Sequence, residues 1–488
     1  MMAATPTTRW QVNGYRFLVR RMEHALVRRD VRMLHDPMRS QSRAFTVGIV
    51  LAALGLAGCA VLALFRPQDR IGDAEIVVAK ESGAMFVAME GTFRPVLNLA
   101  SARLILGSPG KPAIVKASEV EAKPRGALVG IPGAPSALPE SADPTNAAWT
   151  VCDSVGSDGR KSLTTSVVVG SSNVGENTTY LTNDRAFLVK SGSDHFLVYD
   201  GKRAEIDVDD PAIMRALGLE GAQARPISIG FLNSIPEVPR IEAPRIRQLG
   251  SAPRFPLQNK TVGSVVQVSV GADPQYYVVL ENGIQKIGAA LAQLIYFSDS
   301  QGATGIASVT PDAISRIPSV SELAVDLLPR VVPEIVDDHG APVGCLEWAP
   351  APAVEGGESS SATLKLVAGL QVPIPEGGKL VSLAQADGSG DNLDNVHVEQ
   401  GFGGFVQATG IETNSTRHDG VFYVADTGVK YGVPDETSAR ALGLTRTPDR
   451  APWQMLDLLA SGPALEKSNA LIAHDGIAPD TAPAAPVN

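Results

Sequence analysis

The chain has 488 residues, a formal net charge of −10, 47 glycines, 35 prolines and only 5% aromatic residues. This length exceeds what one hydrophobic core normally supports, which excludes a single compact domain and predicts several folding units. Frequent glycine and proline, together with 19% charged residues, favour many short elements joined by turns over a few long helices.

The first 44 residues are strongly basic. They hold nine arginines, no lysine and three acidic residues, a net charge of +6 that leaves −16 for the rest of the chain. From Val12 to Leu34 apolar residues recur at helical spacing, which predicts a basic amphipathic helix with Asn13 as its N-cap. Such a helix lies on anionic lipid or docks on a partner protein, and the pattern fits both. The residues of this predicted surface are Tyr15, Leu18, Val19, Met22 and Leu26, with Arg16, Arg20 and Arg28 beside them.

An uninterrupted apolar run, residues 45–65, follows the basic segment. It contains no charged residue and is flanked by Arg43 and Arg66. As a helix it would reach about 31 Å, the thickness of a bilayer's hydrocarbon core. Because positive flanking charge stays inside, we expect a single-pass inner-membrane protein with residues 1–44 in the cytoplasm and residues 66–475 forming a periplasmic domain. Residues 476–488 are expected to be a disordered Pro/Ala tail, and no nucleic-acid partner is expected.

A second interpretation of this region rests on Cys59. The tetrad Leu56-Ala57-Gly58-Cys59 resembles the lipidation site of a lipoprotein. However, the basic segment is much longer than a signal-peptide n-region, and the apolar run continues past Cys59 to Phe65. These two features favour a membrane span.

Two cysteines, Cys152 and Cys345, lie outside the apolar run. In an oxidising compartment such a pair predicts a disulfide that joins distant regions of the chain, with two unrelated buried thiols as the alternative.

A recurring pattern organises the long acidic part of the chain. Four segments show a strand, a tight turn ending in glycine and a second strand, with the turn glycines at Gly91, Gly201, Gly283 and Gly428. Asp-Gly and Asn-Gly turns of this kind need positive φ. The pentad Arg-Ala-Leu-Gly-Leu occurs at 215–219 and again at 440–444, each time after a helix-start signal, which indicates duplication.

We therefore predict an α+β fold. It comprises one N-terminal transmembrane helix and an elongated body with about four hairpin-plus-helix units, near residues 75–130, 185–235, 260–330 and 420–465. These units surround a central β-rich core near residues 140–185 and 335–415.

Catalytic patterns are weak throughout the sequence. The Gly-Lys pairs at Lys111 and Lys379 lack the spacing and the hydroxyl residue of a P-loop. The seven histidines show no paired metal spacing, and the acidic loop from Asp387 to Asp394 lacks the glycine and the glutamate of a calcium loop. We expect no catalytic residue, no metal and no cofactor, with ATP binding as the weaker alternative.

Several motifs, in order along nearly the whole chain, resemble the EccB family of mycobacterial and actinobacterial type VII (ESX) secretion systems. They include Gln11-Val-Asn-Gly-Tyr-Arg-Phe-Leu-Val-Arg-Arg before the span, Ile131-Pro-Gly-Ala-Pro135, Trp149-Thr-Val-Cys152-Asp, Gln275-Tyr-Tyr-Val-Val-Leu280 and Val429-Lys-Tyr-Gly-Val433.

The resemblance implies a structural subunit of the inner-membrane secretion channel. Its expected partners are EccC, EccD and EccE, the mycosin protease, and further copies of itself as a dimer within a hexamer. It also implies four repeat domains around a core and a periplasmic disulfide at Cys152 and Cys345. Family members are often described as ATP-hydrolysing, although EccC carries the P-loop motor domains. The alternative functions are therefore a periplasmic ATP-hydrolysing subunit or a membrane-tethered cell-wall binding module.

Overall fold

The computed structural model describes residues 8–32, 37–65, 71–138, 147–156, 162–175, 177–270, 273–351, 361–390, 392–399 and 404–476. The chain divides into two compact units, Met1–Arg70 and Ile71–Asn488. The predicted tail after residue 476 lies outside the described residues.

Short helices and strands make up most of the regular structure in these residues. The helices are α1 (Arg9–Arg28), α2 (Pro37–Phe65), α3 (Leu99–Leu106), α4 (Ala117–Glu121), α5 (Pro211–Ala216), α6 (Ile229–Asn233), α7 (Ala289–Ser298), α8 (Pro311–Ser315), α9 (Glu436–Leu442), α10 (Trp453–Leu456) and α11 (Lys467–Ala470). The strands of the first half are β1 (Ile76–Ala79), β2 (Met85–Met89), β3 (Thr92–Pro95), β4 (Ala113–Val115), β5 (Leu128–Val129), β6 (Trp149–Val155), β7 (Leu163–Val169), β8 (Thr178–Tyr180), β9 (Arg185–Ser191), β10 (Asp194–Tyr199), β11 (Lys202–Ile206), β12 (Arg225–Pro226) and β13 (Glu237–Val238). Those of the second half are β14 (Val265–Val270), β15 (Asp273–Val279), β16 (Ile284–Ile287), β17 (Ala307–Ser308), β18 (Glu334–Ile335), β19 (Val343–Pro350), β20 (Ala362–Gly369), β21 (Val381–Ser382), β22 (Asn395–Val398), β23 (Phe405–Thr409), β24 (Val421–Val424), β25 (Val429–Gly432), β26 (Asp449–Pro452), β27 (Ala460–Ser461) and β28 (Ala473–His474).

The N-terminal unit contains helices α1 and α2. Helix α1 begins one turn earlier than predicted, because Thr8 and not Asn13 is its N-cap; the backbone N–H of Thr8 donates to the Gln11 side chain at 2.9 Å. It also ends earlier, since Arg29 adopts a left-handed conformation with φ 54°. Within α2, residues Gln41–Leu62 are long and apolar enough to cross a membrane. Helix α2 itself begins at Pro37, since proline is tolerated in the first turn of a helix.

Four sheets of the second unit share one strand order. In each, three consecutive strands form an antiparallel meander, a helix follows, and the next strand returns parallel to the first strand of the meander. The corresponding strands and helices are β1-β2-β3-α3-β4, β9-β10-β11-α5-β12, β14-β15-β16-α7-β17 and β23-β24-β25-α9-β26. In two of these sheets a further strand, β13 or β27, pairs parallel with the third strand of the meander.

The repeated pentad has the same local structure at both places. The N–H of Leu219 donates to the carbonyl of Met214, and that of Leu444 donates to the carbonyl of Ala439. The glycine before each leucine has positive φ, 65° at Gly218 and 89° at Gly443. This is the hydrogen bond of a Schellman motif, which ends α5 and α9 in the same way.

The meander sheets pack in pairs through their helices. Ile213 and Leu217 of the second sheet's segment share one core with Leu291 and Leu294 of α7. The first and fourth sheets share another core, which includes Leu104 of α3 and Leu442 of α9. Within this second pair, Arg103 of α3 donates to the carbonyl of Leu442 at 2.9 Å and so caps the C-terminus of α9.

A seven-stranded sheet in the order β21-β22-β7-β6-β19-β20-β8 forms the central core. Its middle strands carry the directly paired and fully buried Trp149 and Trp348. The predicted bounds of this core, 335–415, extend too far, since residues Phe405–Thr409 form β23 of the fourth meander. The apolar alternation there fits either sheet, and pairing with the next strand along the chain decides between them.

Candidate functional site

The disulfide lies in the middle of the central sheet. Cys152 of β6 and Cys345 of β19 are directly opposite each other, with their Cα atoms 4.1 Å apart, and they are bonded as predicted. Both are fully buried in a small apolar cluster with Val343 and Val367. The 193-residue separation between them spans the second and third meander sheets. The bond therefore closes the long loop of chain that contains these two sheets.

Two of the turn glycines bring a meander against the central sheet. A Cβ atom at Gly201 would lie 2.8 Å from the Cβ of Leu364 on β20, and one at Gly428 would lie 2.3 Å from a methyl of Val396 on β22. Both glycines have positive φ, 70° and 79°. Side chains at these two positions would push the turns away from the core, so glycine permits the close approach as well as the turn.

The other two turn glycines have different surroundings. Gly91 has φ 75°, and a Cβ atom there would have no neighbouring atom within 4 Å, so only the turn requires glycine. Gly283 does not have positive φ, and the prediction is wrong at this turn. Glycine is required because the carbonyl oxygen of Pro318 would lie 2.3 Å from a Cβ atom.

A buried polar network joins the second meander segment to the central sheet. The carboxylate of Asp153 on β6 accepts hydrogen bonds from the N–H of Ser228 at 2.6 Å, the Ser228 hydroxyl at 2.8 Å and the Thr165 hydroxyl at 2.9 Å. Burial raises the pKa of Asp153 to about 6, and the hydrogen bonds only partly offset this effect. Nearby, Arg225 donates to the carbonyls of Ala341 and Pro342.

Sequence reasoning did not find this network. Asp153 and Ser228 are 75 residues apart, and neither belongs to a motif. The only local signal was an acidic residue among the apolar residues of a core strand.

The Gly-Lys segments at Lys111 and Lys379 are built as turns. Gly107 ends α3 in a left-handed conformation and donates its N–H to the carbonyl of Arg103, so Lys111 follows the C-terminus of a helix. A phosphate is stabilised at the opposite end of a helix, the N-terminus. The backbone carbonyl of Lys379 is hydrogen-bonded to the ring of His397 at 2.9 Å.

The acidic loop uses its carboxylates internally. Asp394 accepts the backbone N–H groups of Asp387, Gly388 and Thr165. Asp387 accepts from Ser389 and Asn392. These bonds shape a turn that is anchored on β7. Among the described residues no group of three or more His, Cys, Asp or Glu side chains is arranged to hold a metal ion.

The predicted face of α1 is exposed. Tyr15, Leu18, Met22 and Leu26 are each more than half exposed, and Val19 is half-buried. Arg16, Arg20 and Arg28 are exposed on the same helix. This helix thus presents apolar and cationic groups together, the combination that both lipid surfaces and partner grooves accept.

The fold combines one helix that is long and apolar enough to cross a membrane with a body of paired sheets around a disulfide-bonded core. Comparison with known proteins places this architecture in a family. The family model described as "Type VII secretion system ESX-1, transport TM domain B" matches residues 4–479.

Among characterised relatives, the ESX-3 secretion system ATPase EccB3 of Mycolicibacterium smegmatis is 39% identical over 96% of this chain and 91% of its own length. The ESX-1 secretion system ATPase EccB1 of Mycobacterium tuberculosis is 35% identical over 98% of this chain and 97% of its own.

Solved structures give the same result. A chain of an intact ESX-5 inner membrane complex is 33% identical, with a TM-score of 0.74, and the match covers 100% of this chain and 99% of that one. The EccB3 dimer from an ESX-3 core complex matches with a TM-score of 0.68 and 33% identity, over 82% of this chain and 100% of that one. The chain belongs to the EccB family of type VII secretion systems.

Proposed function

We propose that this chain is a structural subunit of the type VII secretion channel in the inner membrane, assembling with EccC, EccD and EccE and lying near the mycosin protease. The observation that carries the proposal is the full-length match to a chain of an intact ESX-5 inner membrane complex, which includes the apolar helix as well as the body. A protein that shares the whole architecture, and not one domain alone, is expected to occupy the same place in its complex.

In this proposal the basic N-terminal segment lies in the cytoplasm and the body lies in the periplasm. The charge difference across the apolar helix supports that orientation, with +6 before the span and −16 after it. The disulfide supports it too, because such bonds persist in oxidising compartments.

The body is composed, in this proposal, of four copies of one repeat unit around the central sheet. The common strand order of the four meanders and the shared ending of α5 and α9 support a common origin. The relative from the ESX-3 core is a dimer, which supports self-association of this chain through its body.

Affinity purification of the tagged full-length chain from detergent-solubilised membranes tests the assembly. We expect EccC, EccD and EccE to copurify, as identified by mass spectrometry, and to be absent when an unrelated single-pass protein carries the same tag. Recovery of the chain alone, from membranes in which the other subunits are expressed, would contradict the proposal.

Hydrolysis of ATP is the second candidate, because the relatives carry the word ATPase in their names. If the activity is intrinsic to a Gly-Lys segment, Lys111→Ala or Lys379→Ala abolishes ATP turnover by the purified protein. Turnover that survives both substitutions arises elsewhere or from a contaminant.

A further inference from the structure

A polar cleft of about 370 Å³ lies where three parts of the body meet. Strand β20 of the central sheet contributes Lys365, and the turn between β10 and β11 contributes Asp200. Arg185 comes from the start of β9, and Arg330 comes from the segment that follows the third meander. The secretion role proposed above does not use this cleft.

Positive charge exceeds negative charge in the cleft walls. The lining holds three cations, Arg185, Arg330 and Lys365, and one carboxylate, Asp200. Two more acids stand beside Arg185: Asp184, whose charge interacts with the guanidinium, and Glu334, whose Oε1 atom is 3.9 Å from Nη2 of Arg185 and whose side chain is 74% exposed. Exposed carboxylates compensate the guanidinium weakly.

The guanidinium of Arg185 is only partly exposed. Its Nε atom is buried and has no hydrogen-bond partner among the described residues, so this atom cannot contact a ligand in the cleft. The side chain as a whole is 34% exposed, and an anionic oxygen is the acceptor that suits the exposed part of a guanidinium best.

The other two cations of the lining, Lys365 and Arg330, form no ion pair among the described residues. Lys365 lies directly opposite Glu347, but the Glu347 carboxylate instead accepts the Tyr180 hydroxyl at 3.0 Å, and the Lys365 ammonium lies 4.7 Å from the centre of the Tyr180 ring. Arg330 forms no ion pair within the described part of the chain, and its carbonyl accepts the N–H of Ala289, which fixes its backbone.

Asp200 supplies a hydrogen-bond acceptor in the cleft. It is held at φ 48° in a turn that Gly201 allows to approach β20. A bare anion would be repelled by this carboxylate, whereas a ligand with hydroxyl groups beside its anionic group would donate to it. We propose that the cleft binds a phosphorylated sugar or polyol, with the phosphate on the three cations and a hydroxyl on Asp200.

Isothermal titration of the detergent-solubilised full chain with glucose 1-phosphate tests the site, with inorganic phosphate and glucose titrated separately. We expect saturable binding of the sugar phosphate, weaker binding of inorganic phosphate and none of glucose. Arg330→Ala and Lys365→Ala should each weaken binding about tenfold or more, since each removes a charged hydrogen-bond donor. Arg245→Ala, at an exposed arginine outside the cleft, should leave binding unchanged.

Three results would overturn the proposal. They are the absence of saturable binding at millimolar ligand, equal binding by the wild type and the Arg330→Ala/Lys365→Ala double variant, and inorganic phosphate binding as tightly as the sugar phosphate. Both substituted side chains lie at the surface, so loss of binding with an unchanged unfolding transition reports on the cleft and not on the fold.

Discussion

Glycine meets two different needs at the hairpin turns of this protein. At Gly91 the backbone adopts positive φ in open space, whereas at Gly428 the same conformation brings the turn against Val396 of the central sheet. The sequence predicted the first need from the turn pattern. It could not predict the second, because that depends on which strand lies beneath the turn.

The comparison between these two glycines is a test of the packing. Gly91→Ala should destabilise the body by about 1–2 kcal/mol, the cost of left-handed backbone for alanine. Gly428→Ala should cost about 1–3 kcal/mol more, because its Cβ would lie 2.3 Å from Val396. The double variant Gly428→Ala/Val396→Ala should lose less unfolding free energy than the sum of the two single losses, as measured by denaturant titration, because Val396→Ala removes the clashing methyl groups. Strictly additive losses would show that the contact does not matter.

Asp153 is the second residue whose role depends on distant contacts. Because burial raises its pKa to about 6 from 3.8, the native state holds the proton more tightly than the unfolded chain. The stabilising effect of protonation is therefore full below about pH 4 and is lost as the pH rises through 6. A difference of this size corresponds to about 3 kcal/mol of unfolding free energy.

Asp153→Asn should flatten this pH dependence. An amide can accept from the Ser228 N–H and donate to the hydroxyls of Ser228 and Thr165, so the network is kept without the charge. The measurement is denaturant unfolding of the full chain in detergent between pH 4 and 7, followed by the fluorescence of buried Trp149 and Trp348 after Trp10 and Trp453 are changed to Phe. A variant with the same pH dependence as the wild type would exclude Asp153 as the titrating group.

At the scale of elements, the sequence predicted well the features that depend on neighbouring residues, but it did not predict which strands pair. The apolar run predicted the helix α2, and the repeated pentad predicted the ends of α5 and α9, because both depend on neighbouring residues. Three of the returning fourth strands, β4, β12 and β17, carry only two or three residues and gave no signal. Strand β23 was assigned to the wrong sheet for a related reason: alternation shows a strand but not its partner.

The β6–β19 disulfide provides a prediction for these two elements. Cys152→Ser/Cys345→Ser should lower the unfolding free energy by about 4–5 kcal/mol on the chain-entropy account, since the bond closes a loop of nearly 200 residues. Cys59→Ser, in the apolar helix, is the matched control and should leave the unfolding of the body unchanged. Equal stability of the double variant and the wild type would mean that the cross-link does not hold the two regions together.

Substitutions on the exposed face of α1 distinguish the two roles that the sequence left open, docking on a partner protein and lying on anionic lipid. Leu18→Ser/Met22→Ser should reduce copurification of the other channel subunits several-fold if the helix docks on a partner. Asn13→Ser, on the opposite side of the helix, should have no effect. Unchanged copurification together with weaker binding of an α1 peptide to anionic vesicles would instead assign the helix to the lipid surface.

For the whole molecule, the turn pattern predicted that hairpins recur along the body but not how they pack against one another. The first and fourth meanders lie at opposite ends of the body's sequence yet share one core, and the C-terminal strand β28 pairs with β5 near the body's start. The polar cleft likewise joins Arg185, Arg330 and Lys365, which are far apart in the chain. Such contacts arise from packing between distant segments, and no local pattern encodes them.

The central claim is a chain that crosses the membrane once, with the body in the periplasm as part of the secretion channel. Fusing alkaline phosphatase and, separately, green fluorescent protein to the C-terminus tests it most directly in living cells. We predict an active phosphatase and a dark fluorescent protein when export is by the general secretory route. A fluorescent and phosphatase-negative C-terminus would place the body in the cytoplasm and contradict this claim.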